Sequence, residues 1–265
     1  MKNAAALLEE YSMKRIISFF LCVLMTAALL AGCGDRKQRT TWIIAVDGDF
    51  SPFVCADANG EAVGLDVELL DAIARDQNFR YELRPSDWDT AMSVFTSHQA
   101  QVLMGSIASS QERIDGGWFF SHSFYNGVTQ SMAMEPSSDT NTLEDLAGKA
   151  VAVVSGTLGA AYAESVKDKY GFSIATFSDS HSMYAAVLEG RAAACFEDTP
   201  ALRDSIAGGV ALELVPGSEG AASDYCAAIC DEKDRPFLEL FNQGLANIRA
   251  NGIYDAILAK YADTL

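Results

Sequence analysis

Residues 42–74 constrain the fold of this chain more than any other stretch. Trp42-Ile43-Ile44-Ala45-Val46 is a short apolar run that reads as a strand. Pro52 ends the run, because proline has no N–H to give a ladder. Asp57-Ala58-Asn59-Gly60 reads as a turn, since Asn and Gly tolerate positive φ. Val67, Leu70, Ile73 and Ala74 then recur at helical spacing, and Asp66 stands just ahead of them where an N-cap belongs. Open α/β sheets place ligands in the loop between such a strand and such a helix.

Strands and helices go on alternating, which predicts an α/β fold. Residues 81–84 read as a strand. Asp87 caps a helix with Ala91, Val94 and Phe95 on one face, and residues 101–107 form an apolar strand with a polar exit through Arg113. Residues 128–134 read as one more strand. Glu135-Pro136-Ser137-Ser138-Asp139 breaks the pattern, and a second α/β segment follows. Its expected parts are a short capped helix at 141–146, a strand at 150–154, a helix at 160–169 and a strand at 174–177. A helix at 182–189, a strand at 192–196 and a helix opened by Pro200 come next, then a strand at 212–215. A strand at 225–230 and helices at 236–251 and 253–261 close the chain. The layout predicts two lobes, 41–127 plus 224–265 and 128–223, each a mixed sheet flanked by helices. Two hinge crossings, near 125–131 and 222–225, leave a ligand cleft between them.

The front of the chain reads as targeting. Lys14-Arg15 is a basic n-region, and residues 16–30 are a nearly unbroken apolar run of signal-peptide length. The run is shorter than the roughly 20 residues of a membrane span. Leu30-Ala31-Gly32-Cys33 resembles a bacterial lipoprotein cleavage box. That resemblance implies removal of residues 1–32, lipid on Cys33, a tether over 33–40 and an extracytoplasmic protein anchored to the bacterial cell membrane. Glu9 and Glu10 are unusual in an n-region, so Met1 and Met13 both stand as starts.

The formal net charge is −17, and removing residues 1–32, with one more base than acid, takes it to −18. Such a surface repels nucleic-acid phosphates. Of six cysteines, Cys22 leaves with the signal and Cys33 takes lipid, leaving Cys55, Cys195, Cys226 and Cys230. Cys226 and Cys230 are about 13 Å apart along a strand, too far for a bridge. Buried free thiols are the favoured reading. There is no C-x-x-C, and the three histidines are scattered, so neither metal nor cofactor is expected.

Motifs along residues 42–261 resemble the extracytoplasmic solute-binding proteins of amino-acid ABC transporters, family 3, with the type II periplasmic-binding-protein fold. They are Phe50-x-Pro52-Phe53, Gly64-Leu65-Asp66-Val67-Glu68-Leu69, Trp88-Asp89, Ser110-Gln111-Glu112-Arg113 and Phe120-Ser121-x-x-Phe124-Tyr125. Leu143-x-x-Leu146-x-Gly148-Lys149-x-Val151-x-Val153, Ser155-Gly156-Thr157 and Asn251-Gly252-Ile253-Tyr254-x-x-Ile257-x-x-Lys260-Tyr261 complete the set. The resemblance implies a monomeric receptor that takes a free amino acid and passes it to a permease and its ATPase.

A zwitterion needs a cation for its carboxylate and an anion for its ammonium. Arg113 is the candidate cation, since a guanidinium forks onto a carboxylate. Thr157 and Leu158, at a strand-to-helix turn, would offer N–H groups to the same carboxylate. Gly156-x-x-Gly159 only faintly resembles a dinucleotide turn. Asp198 would accept from the ammonium, with the Gly105 carbonyl and the Ser106 region. Glu197, next to Asp198, is expected to point the other way. Phe50 and Trp88 would wall the side chain, and Asp47 stands where relatives with basic ligands place an acid. The family's hydroxyl five residues before the arginine is replaced by Ala108. Two other readings stand beside transport. One is a dehydratase of cyclohexadienyl acids, for which Asp47, Glu197 and His122 are the available acid groups. The other is a ligand-sensing module for a separate receptor.

Overall fold

The computed structural model describes residues 41–220, 222–262 and 264–265, with Ser106 described by its backbone alone. The predicted signal segment, the lipid-bearing Cys33 and the tether fall outside the described residues.

The chain opens with β1 (Thr41–Asp47), followed by a small antiparallel sheet of β2 (Asp49–Phe50), β3 (Val54–Ala56) and β4 (Ala62–Val63). The Asp57–Gly60 turn lies between β3 and β4, where Asp57 accepts from the Asn59 and Glu61 N–H groups. Helix α1 (Leu65–Gln77), β5 (Arg80–Ser86), α2 (Trp88–Thr96), β6 (Val102–Ala108) and the short α3 (Gln111–Asp115) follow. Then come β7 (Phe119–Phe120), β8 (Tyr125–Val128) and β9 (Gln130–Met134). The second segment contains β10 (Ala150–Val154), α4 (Leu158–Tyr170), β11 (Ser173–Phe177), α5 (Ser180–Leu188), β12 (Ala194–Asp198), α6 (Thr199–Ala207) and β13 (Glu213–Leu214). Strand β14 (Ser223–Ile229) and helices α7 (Arg235–Ala250) and α8 (Ile253–Leu258) end it.

Two mixed sheets result, with the order β5-β1-β6-β14-β7 in one, where β8 also pairs with β14, and β11-β10-β12-β9-β13 in the other. Each has three parallel strands with the first of the three in the middle, then an antiparallel strand. The chain reverses direction across each sheet between the central strand and its later parallel neighbour, β1 and β6 in one and β10 and β12 in the other. Ligands bind at such points, outside the carboxyl ends of the strands. This is the two-lobed type II periplasmic-binding-protein architecture.

The first sheet is covered by α1 and α7. Leu65, Leu69, Leu70 and Ile73 of α1 and Phe237, Phe241, Leu245 and Ile248 of α7 are buried together with Ile44, Val46, Val102 and Met104. Each such side chain contributes about 1.5–3 kcal/mol by leaving water. The helices approach closely at Gly244, where an added Cβ would lie 2.9 Å from Ile73. A second core beneath β10 and β12 gathers Met132, Leu146, Val151, Val153, Ala163 and Phe196.

Four sequence expectations are corrected. Asp66 does not cap α1; the N-cap is Gly64 at φ 127, and Asp66 is a buried residue of the first turn. A Cβ on Gly64 would lie 2.3 Å from the Phe53 carbonyl oxygen, so the chain needs glycine there. Of the segment 141–146 only Glu144–Leu146 is helical, a 3₁₀ turn, and ahead of it the Asp145 carboxylate takes the Asn141 and Thr142 N–H groups. The single strand expected at 128–134 is two, β8 in one sheet and β9 in the other, with Thr129 between them. All four described cysteines are free, but Cys55 and Cys230 are half-buried rather than buried.

Candidate ligand site

Four strand ends converge on one small cavity of about 30 Å³, room for about one water. Its lining includes Asp47 from the end of β1, Gly105, Ile107 and Ala108 from β6, Thr157 and Leu158 from the head of α4, and Glu197 and Asp198 from the end of β12. Phe50, Trp88 and Arg113 complete it. Eight of the nine ligand-binding residues expected from sequence therefore meet in one place. The ninth, Ser106, follows Gly105 on β6, and its side chain lies outside the description. Larger openings exist elsewhere on the surface, at about 720 Å³ beside Lys149 and Arg191 and about 600 Å³ beside Cys55 and Lys260. The first has opposed charges but no aromatic side chain; the second gathers Tyr81 and Tyr261 with Glu68 and Lys260, but neither is lined by residues from the carboxyl ends of β1, β6 and β12.

Arg113 reaches the cavity because Ser110 caps α3, its hydroxyl accepting from the Arg113 N–H at 3.2 Å. The guanidinium donates to the Ala108 carbonyl at 2.7 Å and to the Gly156 carbonyl at 3.0 Å, and its carbon lies 5.5 Å from the Trp118 ring centre. It thus spans the two segments that carry the sheets. Burial pulls its pKa down from the ordinary value, as expected of a cation short of an anion.

Trp88 is buried at the first turn of α2, which Asp87 caps by accepting from Thr90 N–H at 2.9 Å. Its indole N–H donates across the cavity to the Ser155 carbonyl at 2.9 Å. Gly156 beside it has φ +73, and a Cβ there would lie 3.4 Å from the indole nitrogen. Phe50 stacks on Phe53 with centroids 5.8 Å apart, which fixes its ring at the mouth.

Thr157 caps α4, its hydroxyl accepting from Ala160 N–H and donating to the Val154 carbonyl. Its side chain is therefore spent on the helix, and what α4 offers an anion is the N–H groups of its first turn. Gly159 brings that turn against β12: a Cβ there would fall 2.5 Å from the Phe196 carbonyl oxygen. The Gly156-x-x-Gly159 spacing serves a turn and a close helix–strand contact.

The two acids at the end of β12 leave the strand in opposite directions, as alternation requires. Asp198 accepts from Gln130 Nε2 at 3.0 Å and, very closely, from the Tyr225 hydroxyl of β14. Burial pushes its pKa up to about 6, against these two bonds that lower it. Glu197 accepts from Ser180 Oγ at 2.6 Å and Tyr184 OH at 3.4 Å. Glu197 thus turns to other partners than Asp198, as expected, yet it also lines the cavity. Burial first, then the Asp198 charge, pushes it up to about 8. Asp47 is pushed up to about 6 by burial, with Asp49, Asp87 and Asp179 adding repulsion.

A cavity with a guanidinium and helix N–H groups, three carboxylates and aromatic walls suits a small charged solute held between two lobes. The family model for the bacterial extracellular solute-binding proteins, family 3, matches residues 42–264, and the chain belongs to that family. It is 25% identical over 236 residues to the lysine/arginine/ornithine-binding periplasmic protein of Escherichia coli K12, covering 83% of this chain and 86% of that one. It is 24% identical to the arginine-binding extracellular protein ArtP of Bacillus subtilis, covering 94% and 98%. The P235GK mutant of ArgBP from T. maritima superimposes with a TM-score of 0.74 at 27% identity, covering 85% and 96%. These relatives are solute-binding transport proteins, not enzymes.

Proposed function

We propose that this protein is a lipid-anchored extracytoplasmic receptor that captures one free amino acid between its lobes, 41–127 plus 224–265 and 128–223, and delivers it to an ABC permease. The reading is carried by Arg113 and Asp198 facing one cavity from different sheets. A zwitterion joins them, its carboxylate on the Arg113 guanidinium and the α4 N–H groups, its ammonium on Asp198 and the Gly105 carbonyl. Phe50 and Trp88 flank its side chain. No bond in the solute is made or broken.

At its present size the cavity takes no amino acid. Binding therefore requires the Arg113–Gly156 and Trp88–Ser155 links to part and the lobes to close again on the solute. Ligand that touches both lobes favours the closed form by its extra contacts there. The names of relatives, among them binders of lysine, arginine, ornithine and histidine, support amino acids as the solute class. The Leu30-Ala31-Gly32-Cys33 box supports an anchor on Cys33.

The decisive experiment is calorimetry with the common amino acids on protein beginning after Cys33. At least one should bind, and Arg113→Ala should lower its affinity by about 100-fold or more, the usual cost of leaving a buried charge unpaired. Unchanged affinity removes the carboxylate assignment. Cys33→Ser should move the protein from the membrane to the soluble fraction; membrane retention of that variant would remove the anchor.

A further inference from the structure

Asp198 stands at the N-cap position of α6, where a carboxylate ordinarily accepts an N–H of the first turn. Its side chain makes no such bond. Pro200, second in the helix, has no N–H to offer, and the carboxylate turns to two donors outside the helix.

Those donors come from the two places where the chain passes between the sheets. Gln130 opens β9, one residue past Thr129, and its Nε2 donates to Asp198 Oδ1 at 3.0 Å. Tyr225 lies near the start of β14, where the chain has come back to the first sheet, and its hydroxyl donates to Oδ2. The tyrosine is wholly buried, its ring edge-on to Phe53 with centroids 5.1 Å apart, so its hydroxyl has a fixed direction. Each Asp198 oxygen holds one of these donors and keeps a lone pair for another. A buried acid is costly to ionise. Burial pushes Asp198 up to about 6, and the Tyr225 bond, then the Gln130 bond, pull the other way. The Tyr225 phenol itself is pushed well above its ordinary value by burial and by the Asp198 charge, so it remains a donor.

We propose that Tyr225, seconded by Gln130, is a positioning residue for amino-acid capture: it keeps Asp198 charged and aimed at the cavity. This rests on the amino-acid reading above, in which Asp198 takes the ammonium, and deepens it. Segments that cross between two lobes move least when the lobes swing about them, so donors placed there keep the carboxylate set while the rest of the cleft opens. Among the described residues, the titratable and charged groups facing Asp198 are Glu197 from its own strand, Tyr225 from β14, and Asp47 and Arg113 across the cavity. From β9 it meets the neutral Gln130, and Thr199 at the head of α6 is turned to Thr129 and Ser131.

The test is calorimetry of wild-type, Tyr225→Phe and Gln130→Met protein. The common L-amino acids are titrated at pH 7, and the tightest binder of the wild type is then followed from pH 5 to 8.5. Tyr225→Phe keeps the packed ring and removes the hydroxyl alone. It should weaken binding about tenfold at pH 6, the usual worth of a hydrogen bond to a charged group. At pH 8.5, where the carboxylate ionises without help, the loss should be about twofold or less. As pH falls, its affinity should begin to drop about one unit above the wild type's. Asp47 and Glu197 titrate in both proteins, so the ratio of the two curves isolates Asp198. Gln130→Met, similar in volume, should displace the curve in the same direction, and it decides by the same readout if Tyr225→Phe protein does not fold. Unchanged affinity, or a loss equal at every pH as a packing role would give, overturns the inference while leaving amino-acid binding intact. No binding by any amino acid overturns both.

Discussion

Gly159 sets how near the head of α4 stands to the acids at the end of β12. Its missing Cβ is what allows the contact with the Phe196 backbone. Gly159→Ala should destabilise the fold by about 1–3 kcal/mol, the usual cost of overpacking, and a lowered urea midpoint at constant slope would register it. The sequence made this glycine visible but not its purpose, since turn spacing says nothing of what lies across the turn. Arg113, Trp88 and Asp198 were legible as candidates through the motifs that resemble the family's; their places near strand ends and a helix start alone would not have singled them out. Glu197 was not. Alternation tells which face of a strand a side chain takes, but at a strand's last residues a cavity can wrap both faces. Asp66 was misread for a related reason: a capping carboxylate and this first-turn carboxylate differ by a two-residue shift of the helix start.

At the scale of elements, the motifs that resemble the family act as clasps between segments far apart in sequence. Glu68 of α1 accepts from Tyr261 OH at 2.9 Å and pairs with Lys260, just past α8. Tyr254 of α8 donates to the Phe124 carbonyl at 2.7 Å, and Arg249 of α7 donates to the Ser123 carbonyl at 2.9 Å. The C-terminal helices thus lock onto the first sheet, completing what the N-terminal half begins. Glu68→Ala should cost about 1 kcal/mol, since the pair is partly exposed and the tyrosine bond modest. Hydrogen exchange should localise that loss to residues 253–261, whose protection should fall before that of α7. Strand and helix identities were legible over most of the chain because their apolar periods are long. The division of 128–134 between two sheets was not, because both strands are apolar and only tertiary pairing separates them at Thr129.

For the molecule as a whole, two sheets of matching strand order bring their reversal points face to face, so that a single space is ringed by four strand ends. The acids gathered there make stability depend on pH. Asp47 and Asp198 are raised from 3.8 to about 6, and Glu197 from 4.5 to about 8. Each favours its protonated form in the folded state, so its contribution is complete below the unfolded pKa and is lost as pH rises through the folded one. Without solute, the melting temperature should therefore fall between pH 6 and 8. Glu197→Gln protein should be nearly flat over that range. A wild-type curve that rises over that range would contradict the burial described for Glu197.

The indole of Trp88 gives this molecule a built-in optical gauge. Of three tryptophans, Trp42 is sealed in the core against Phe237 and Trp118 packs on Phe95, while Trp88 alone donates across the cavity, to the Ser155 carbonyl. A solute that separates and rejoins the lobes would change the polarity around that ring, and, through Arg113, to a lesser degree around Trp118. Intrinsic emission can then follow capture in real time without a dye, and Trp88→Phe protein, which keeps Trp42 and Trp118, shows how much of the change belongs to Trp88.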